Sequence, residues 1–308
     1  MMKEIKRVAI LGAGAMGAYF ATRFFDSGFE TCLIARGQRN GKLTRDGLIV
    51  NGKKYLIPVV DPDTADSPVD LIIVALKHHH LQEAARGLNK LVGNSTVFLS
   101  VMNGLESEEI LGSFYGMEKV VYAISLGIDA VRVENQIVFT TPGIHYFGEA
   151  KNETHTPRVE QIRLAFEKAG IAYKIPEDMM RWLWWKFMVN VGINQASAVT
   201  RMRYAAFQKS PTAQQLMESL MREVIILAQA AGIDLTEEDI TNWYPVLNRL
   251  SPDGKTSMLQ DIEAGQKTEV EVFSGKVIAL GKQYGIPTPV NETVFRIIKL
   301  LEQGYGVQ

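Results

Sequence analysis

The sequence predicts an α/β Rossmann-type N-terminal domain, with a mostly parallel sheet and an antiparallel extension, followed by an all-α C-terminal domain. In the first half, short apolar runs alternate with helical patterns, which is typical of β-α-β units. A glycine-rich turn follows the first of these runs, and every periodic segment beyond Pro176 is long and helical. Together these observations predict two domains, 1–177 and 178–308.

Strand-like apolar runs predict the sheet of the N-terminal domain. They lie at Arg7–Leu11, Thr31–Ala35, Leu71–Leu76, Thr96–Val101 and Lys119–Leu126. Shorter runs with polar interruptions predict antiparallel hairpins that close the sheet, at Val131–Val133, Gln136–Thr140 and Ile144–Gly148. A helix over Pro157–Gly170 and a strand over Ile171–Ile175 complete this domain.

Long helical patterns account for the C-terminal domain. They cover Asp178–Thr200, Pro211–Ala231, Glu237–Leu250, Met258–Gly285 and Val290–Gln303. Gly265 predicts a break in the fourth helix, because glycine is a poor helix former. The first helix is apolar on most of its faces, so we expect it to be buried.

The composition is that of a globular protein without a strong charge. Apolar residues make up 46% and charged residues 22%, and the formal net charge is −1, so nothing draws the chain toward nucleic acid or an anionic membrane. Cys32 is the single cysteine, and no run reaches the roughly 20 apolar residues of a membrane span. We expect a cytoplasmic protein with a small-molecule substrate. Trp182, Trp184 and Trp243 are compatible with a homodimer, although packing between domains explains them equally well.

A glycine-rich turn lies directly after the first strand and opens a helix predicted to end near Ser27. Its sequence is Gly12-Ala13-Gly14-Ala15-Met16-Gly17. In a dinucleotide site, the first glycine permits a tight turn, the second lets the backbone approach a pyrophosphate, and the third lets helix and strand pack closely. The free N–H groups at the start of the helix would face the phosphates. We therefore predict dinucleotide binding at this turn; the alternative is a purely structural turn.

Arg36 follows the second predicted strand, nineteen residues after Gly17. An NAD site usually has an acidic residue here, and a carboxylate would repel a 2′-phosphate. The guanidinium of Arg36 is instead a planar cation suited to phosphate, and Arg39 and Lys42 lie close by in the sequence. We predict NADPH as the cofactor; the alternative is a solvated basic turn.

Two further polar residues, Lys77 and Asn103, each follow a predicted strand. Open α/β sheets bind ligands beyond the carboxyl ends of their strands, so both are candidates for the site. Either could be ordinary, as an exposed lysine or a turn residue. His78–His80 has no metal-ligand spacing, so we predict no metal site, although one of these histidines could reach the cofactor.

Lys186, Asn190 and Asn194 lie four residues apart on the first long helix of the C-terminal domain. Successive members are about 40° apart around the helix axis, so they form one polar stripe on an apolar helix. A structural hydrogen-bond network is one explanation. The other is catalytic: hydride transfer to a 2-keto acid leaves negative charge on the carbonyl oxygen, which a lysine general acid would stabilise and protonate while the asparagines orient the substrate.

At these residues the chain resembles the ketopantoate reductase (2-dehydropantoate 2-reductase) family over nearly its whole length. The shared motifs are the glycine-rich turn, Val74-Ala75-Leu76-Lys77, Asn103-Gly104, Trp185-Lys186 through Asn190 to Asn194, and Ser257-Met258-Leu259-Gln260-Asp261-Ile262 followed by Thr268-Glu269. The resemblance implies NADPH-dependent reduction of 2-dehydropantoate to (R)-pantoate, a step of pantothenate biosynthesis.

The resemblance also implies roles for individual residues. Lys186 would be the catalytic acid, and Glu269 would orient the substrate or the lysine. The groups that would bind substrate are those of Asn103, Lys186, Asn190, Asn194, Ser257 and Glu269. The side chains that would contact NADPH are those of Arg36, Lys77 and Asn103.

Two of these residues have simpler interpretations. Ser257 with Gln260 matches a capping box at a helix start, and Glu269 among charged neighbours would suit a solvated helix face. In a straight helix, the side chains of Ser257 and Glu269 would point about 120° apart. A shared site therefore needs the break near Gly265.

The chain departs from the family pattern after Asn194. Where the family usually has an asparagine- or threonine-glycine pair before Glu-Leu, this chain has Arg201-Met202-Arg203-Tyr204-Ala205-Ala206. A second hypothesis is therefore a reductase of another branched 2-keto acid. A third is a non-catalytic NADPH-binding sensor of the same fold, against which the presence of both Lys186 and Glu269 argues.

Overall fold

A computed structural model describes residues 4–133 and 136–304. The chain divides into two compact units, the first ending at Met180 and the second beginning at Arg181. The boundary expected after Glu177 lies three residues earlier. The outer limits expected at residues 1 and 308 lie outside the described residues.

The framework of the first unit is a large sheet. The strands of this unit are β1 (Arg7–Leu11), β2 (Glu30–Ile34), β3 (Leu48–Val50), β4 (Lys53–Tyr55), β5 (Val59–Val60), β6 (Val69–Val74), β7 (Val92–Ser100), β8 (Val120–Ile128), β9 (Val131–Val133), β10 (Gln136–Val138), β11 (Pro142–Gly148) and β12 (Tyr173–Lys174). Eight of the described strands form one sheet in the order β12-β11-β8-β7-β6-β1-β2-β5. Neighbours are parallel from β8 to β5, and β11 is antiparallel to β8, so the predicted fold class is confirmed.

Helices cover both faces of this sheet. They are α1 (Ala15–Asp26), α2 (Gly37–Asp46), α3 (Leu81–Arg86), α4 (Ser107–Tyr115) and α5 (Pro157–Lys168). Alternate residues of β6 enter two separate cores: Leu71 and Ile73 pack with α1 and α5, whereas Ile72 and Val74 pack with α3 and α4. A strand buried on both faces is mostly apolar, which is why β6 contains the continuous hydrophobic run Leu71–Val74.

A second, four-stranded sheet has the order β4-β3-β10-β9. The expectation that the runs at Val131–Val133 and Gln136–Thr140 extend the main sheet is therefore wrong; only the third run, within β11, does so. β10 instead pairs with β3, and β3 forms a hairpin with β4. The hairpin turns at Asn51 and Gly52, whose φ angles are 47° and 77°, a pair that suits a two-residue turn. An alternating pattern predicts a strand but not its partner, which explains the error.

The described part of the second unit is helical, as predicted. Its α-helices are α6 (Met179–Thr200), which begins just before the boundary, α7 (Tyr204–Lys209), α8 (Pro211–Ala230), α9 (Glu237–Leu247), α10 (Ser257–Glu263), α11 (Lys276–Tyr284) and α12 (Pro289–Gln303). α8 packs against α7, α9, α11 and α12. Within the described ranges, no helix has both the length and the hydropathy needed to span a bilayer.

The predicted helix Met258–Gly285 is interrupted, as the glycine indicated. α10 ends at Glu263, and Gly265 takes a left-handed φ of 60°. Helical structure resumes only at Glu271, as a π-helical turn that continues into α11. The break is thus longer than one residue and leaves the intervening segment as a connection.

Candidate active site

The glycine-rich turn packs so tightly that side chains are excluded at two of its three glycines. Gly12 has a φ of 107°, and a Cβ there would lie 2.4 Å from the carbonyl oxygen of Ala75. A Cβ at Gly17 would lie 1.7 Å from the carbonyl oxygen of Gly12. Both distances are far below van der Waals contact, so the first and third glycines are required by the packing of strand and helix.

Gly14, the second glycine, faces open space instead. It is the N-cap of α1, no side chain caps the helix there, and a Cβ would meet nothing within 4 Å. The first N–H groups of a helix have no partner within the helix, and the positive end of its dipole lies beside them. A helix start without a side-chain cap and with room above Gly14 fits the pyrophosphate of a dinucleotide.

The pairing of β1, β2, β6 and β7 brings the other predicted cofactor residues, Arg36, Lys77 and Asn103, to the same edge of the sheet. Leu11 of β1 is paired with Ile34 of β2 and Val74 of β6, and Val74 is paired with Ser100 of β7. Arg36, Lys77 and Asn103 each follow one of these strands by two or three residues, beyond its carboxyl end. The structure therefore gathers these three residues around the glycine-rich turn.

Lys77 and Asn103 are both half-buried rather than fully solvated. Lys77 is the N-cap of a single 3₁₀ turn formed by His78–His80. Asn103 lies in a bend before Gly104, whose φ of 99° explains the need for glycine there. Asn103 therefore lies in a turn, as one of the two interpretations predicts, and its role in binding stays a prediction.

The bend at Asn103 is supported by a buried polar chain that the sequence did not reveal. The hydroxyl of Ser107 donates to the carboxylate of Glu108 over 2.8 Å and lies 2.7 Å from the hydroxyl of Ser100. The backbone N–H of Met102 reaches the Ser100 oxygen at 3.4 Å. All three side chains are almost fully buried, and burial raises the pKa of Glu108 to about 7.

Arg36 is held by two partners. Its Nε and Nη2 atoms each lie 2.9 Å from an oxygen of Asp63, and Nη2 also donates to the carbonyl oxygen of Gly87 at 3.1 Å. Arg36 is thus partnered, while its side chain stays 38% exposed. Arg39 and Lys42 line a groove of about 410 Å³ beside α2.

The three consecutive histidines lie in the 3₁₀ turn that follows Lys77. His78 lies 3.5 Å from a carboxylate oxygen of Glu106, and His79 and His80 are exposed. Within residues 4–133 and 136–304, no group of three or more metal-binding side chains converges.

The polar stripe of α6 forms as the four-residue spacing predicts. Asn190 and Asn194 are buried, and the Asn194 amide donates to the Asn190 oxygen at 3.3 Å. The Asn194 oxygen accepts from the hydroxyl of Ser257 at 3.1 Å and from the N–H of Met258 at 3.4 Å. The structure thus joins Asn190, Asn194 and Ser257 in one hydrogen-bonded row, with Lys186 one turn before it.

Lys186 is an unusual lysine because its side chain is desolvated. It follows Trp185 and precedes Phe187 and Met188, all buried, and in the described part of the chain it has no hydrogen bond or ion pair. Burial lowers its pKa to about 8, since removing water disfavours the charged form. Near neutral pH such an ammonium is still charged but gives up its proton far more readily than an ordinary lysine.

Glu269 lies in the connection between α10 and the π-helical turn and is only 8% exposed. The solvated-face interpretation is therefore wrong. Lys186 and Glu269 are not hydrogen-bonded to each other in the described residues. The capping-box assignment also needs correction: the N-cap of α10 is Thr256, whose hydroxyl accepts from the Leu259 N–H, and Ser257 is the first helical residue, which leaves its hydroxyl for Asn194.

The divergent segment after α6 is fixed to the loop that precedes α10. Arg201 takes a left-handed φ of 56°, and the N–H of Tyr204 donates to the carbonyl oxygen of Gly254 at 3.2 Å. A Cβ at Gly254 would lie 2.9 Å from the Tyr204 ring. Gly254 comes three residues before Ser257. The loop that contacts the divergent segment is therefore the one that leads to Ser257, a candidate substrate-binding residue.

A second buried network lies on the same helix and was missed. Gln195 accepts from the N–H of Ser274 at 3.1 Å and donates to Asn291 at 3.2 Å, and Asn291 donates to Glu223 at 2.7 Å. Glu223 in turn accepts the N–H groups of Val290 and Asn291 at the start of α12. These residues are far apart in sequence, so no local signal could have found them; their role is to tie α6, α8 and α12 together.

Comparison with known proteins assigns the chain to a family. The family model described as ketopantoate reductase PanE/ApbA matches residues 8–152, and the model for the C-terminal part of the same family matches residues 178–302. The 2-dehydropantoate 2-reductase of Archaeoglobus fulgidus is 25% identical over 301 residues, which cover 98% of this chain and 99% of that protein.

Solved structures show the same fold. The ternary structure of D-mandelate dehydrogenase with NADH and anilino(oxo)acetate superposes with a TM-score of 0.88 at 23% identity, covering 97% of this chain and 99% of that one. A dimeric ketopantoate reductase from Staphylococcus aureus superposes with a TM-score of 0.82 at 22% identity, with the same coverage. The predicted family and its oxidoreductase class are confirmed: the chain belongs to the ketopantoate reductase PanE/ApbA family.

Proposed function

We propose that this chain reduces 2-dehydropantoate to (R)-pantoate with NADPH, a step of pantothenate biosynthesis. The observation that carries the proposal is the row on α6: a desolvated Lys186 ammonium one turn before the hydrogen-bonded side chains of Asn190, Asn194 and Ser257. The name of the Archaeoglobus fulgidus relative, 2-dehydropantoate 2-reductase, supports the choice of substrate.

The residues around the glycine-rich turn fit the cofactor. The uncapped N–H groups at the start of α1 would receive the pyrophosphate, with Gly14 leaving room for its approach. Arg36 would bind the 2′-phosphate, and Lys77 and Asn103 would contact the rest of the cofactor. Bound NADPH would supply the hydride.

Lys186 acts as the general acid. Negative charge develops on the keto oxygen as the hydride adds to its carbon, and the ammonium stabilises this charge and transfers its proton to the oxygen. The products are the 2-hydroxy acid and NADP⁺, with Lys186 left neutral until it regains a proton from solvent. A pKa of about 8 suits this task because the acid is protonated near neutral pH yet a ready donor.

Amide and hydroxyl groups bind the polar ends of the substrate. Asn190, Asn194 and Ser257 supply donors and acceptors for its hydroxyl and carboxylate, and Glu269 orients it. Because Asn190 and Asn194 are buried and already oriented by one another, little side-chain entropy is lost when they bind a ligand.

The second candidate is a reductase of another branched 2-keto acid. It is favoured by the segment that carries Arg203 and Tyr204, because the Tyr204 ring packs on the loop that leads to Ser257. A change in this segment would alter the space for the acyl group while leaving Lys186 and its row intact.

A substrate panel separates the candidates. Purified protein is mixed with NADPH or NADH and one of several 2-keto acids, and the loss of nicotinamide absorbance is followed. Turnover of 2-dehydropantoate with NADPH far above all other pairs supports the proposal; a different preferred keto acid supports the second candidate; no turnover with any of them supports the sensor hypothesis.

We also propose that the chain forms a homodimer, as the Staphylococcus aureus protein of the same fold is described to do. Light scattering after size-exclusion chromatography tests this, with a mass near twice 34.3 kDa expected. A mass of one chain at micromolar concentration would contradict it. The cytoplasmic location stays a prediction.

A further inference from the structure

We propose that Asp63 sets how strongly this chain prefers NADPH over NADH, because its carboxylate competes with the 2′-phosphate for the guanidinium of Arg36. The inference rests on the proposed role of Arg36 in binding that phosphate. It makes Asp63 a specificity-determining residue that no motif in the sequence indicated.

The ion pair uses the atoms that a phosphate would need. Nε and Nη2 of Arg36 each lie 2.9 Å from one oxygen of Asp63, which is the bidentate arrangement that guanidinium groups also offer to phosphate. Nη2 is shared with the carbonyl oxygen of Gly87. Of the three guanidinium nitrogens of Arg36, only Nη1 has no hydrogen bond to a described residue.

The fold places Asp63 opposite Arg36. β5 pairs with β2, with Val60 opposite Ile34, so the chains leaving these two strands run side by side to Asp63 and Arg36. The N–H of Asp63 donates to Asp61 at 3.0 Å, which orders the turn. The contact is therefore a product of strand pairing rather than of a chance encounter between two long side chains.

Gly87 contacts the guanidinium of Arg36 on a side that Asp63 does not occupy. A Cβ at this position would lie 1.9 Å from Nη2 of Arg36, so a larger residue here would displace the end of the arginine side chain. The carbonyl oxygen of Gly87 therefore gives the guanidinium one partner besides Asp63. Because this backbone contact remains when the carboxylate is displaced, we treat Asp63 as a competitor of the phosphate rather than as the sole support of Arg36.

The charges favour competition. Hydrogen bonding to Arg36 holds the pKa of Asp63 below its ordinary value, so the carboxylate is anionic at neutral pH. The side chains of Arg36 and Asp63 are 38% and 65% exposed, and ion pairs this open are weak enough for a phosphate dianion to displace. The displaced carboxylate stays tethered nearby and repels the phosphate, which lowers the affinity for NADPH but not for NADH.

The test compares Asp63→Asn with the wild type and with Asp66→Asn, a matched control on the same exposed loop without a contact to Arg36. Dissociation constants for NADPH and NADH are measured by nicotinamide fluorescence. We expect Asp63→Asn to bind NADPH roughly 3- to 10-fold more tightly, with NADH changed less than about twofold, and the gain to shrink in 0.5 M salt. The Asp66→Asn variant should match the wild type.

An unchanged or weaker NADPH affinity in Asp63→Asn would overturn the inference, since the carboxylate would then be neutral or supportive. Asp63→Ser, which has neither the carboxylate nor the amide of the asparagine variant, must also bind NADPH more tightly than the wild type. Arg36→Gln separates this failure from failure of the proposed function. If Arg36→Gln weakens NADPH alone and Asp63→Asn does not strengthen it, only the inference fails; if Arg36→Gln leaves the ratio of the two constants unchanged, the role of Arg36 fails and the inference with it.

Discussion

The two units of this chain present their candidate functional groups in different ways. In the first unit, the glycine-rich turn presents backbone N–H groups, and side chains are excluded at Gly12 and Gly17. In the second, one face of α6 presents side chains from Lys186 to Asn194. Backbone recognition suits a cofactor whose phosphates bind any ordered N–H groups. Proton transfer needs a titratable side chain in a particular environment, and here the packed helix α6 supplies it.

The side-chain half of this comparison is tested by removing the amine. Lys186→Ala should lower kcat by about 10²–10⁴, the usual contribution of a general acid, with little change in the NADPH dissociation constant. Lys186→Met, which keeps most of the volume, should show the same loss and an unfolding free energy at least equal to that of the wild type. A kcat near that of the wild type in both variants would remove Lys186 from the acid role.

The backbone half is tested by a matched pair of glycine substitutions. Gly17→Ala places a Cβ against the carbonyl oxygen of Gly12, so it should lower the free energy of unfolding by about 3 kcal/mol. Gly14→Ala meets no atom of the chain, so its stability should stay within about 0.5 kcal/mol of the wild type. The same Gly14→Ala variant should bind NADPH about tenfold more weakly, because the methyl group occupies the approach to the helix start. Urea unfolding measures both stabilities. Equal losses in the two variants would contradict the distinction between Gly17, which packing requires, and Gly14, which faces open space.

Glu108 extends the comparison, because it is a buried titratable side chain in the first unit. It belongs to the hydrogen-bonded chain that supports the bend at Asn103. Its pKa is about 7 in the folded chain against an ordinary value of 4.5, so the folded state keeps this proton over a range where the unfolded state has lost it. Stability should therefore fall as pH rises from about 4.5 to about 7, by about 2–3 kcal/mol. Glu108→Gln should remove this slope and be the more stable protein above pH 7.

Urea unfolding from pH 4.5 to 8 measures that slope. The exposed neighbour Glu109 provides the control, since Glu109→Gln should keep the slope of the wild type. If Glu108→Gln showed the same decline with pH, the buried carboxyl would not be its source.

The smallest expected effect concerns the row that follows Lys186. Asn194→Ala removes the acceptor for the Ser257 hydroxyl and the donor to Asn190, which should cost about 1–2 kcal/mol of unfolding free energy. It should also raise the KM for the keto acid several-fold while kcat changes less, since the row binds substrate and Lys186 performs the chemistry. A large fall in kcat with an unchanged KM would place Asn194 in the chemical step instead.

What the sequence could predict follows from the distance between interacting residues. The glycine-rich turn and the stripe from Lys186 to Asn194 depend on spacings of a few residues, and the structure contains both. Arg36 and Asp63 are 27 residues apart, and their pairing depends on which strands are neighbours. The Thr256 cap was misplaced by one residue because Ser257 has an equally suitable hydroxyl.

The position of Glu269 shows the same limit. Its burial follows from the length of the break after α10, and Gly265 indicated where that break begins but not where helical structure resumes. The strands at Val131–Val133 and Gln136–Val138 were found, whereas their pairing with β3 rather than the main sheet was not, since pairing is a long-range choice.

The pH dependence of kcat/KM for keto-acid reduction tests the central claim most directly, because it reports the ionisation of the acid in the free enzyme. With a Lys186 pKa of about 8, kcat/KM should be level at lower pH and fall tenfold per pH unit above that value, as the ammonium loses its proton. The residual activity of Lys186→Ala should lack this decline. A wild-type profile that stays level to pH 10, or the same decline in the variant, would contradict the assignment of Lys186 as the proton donor.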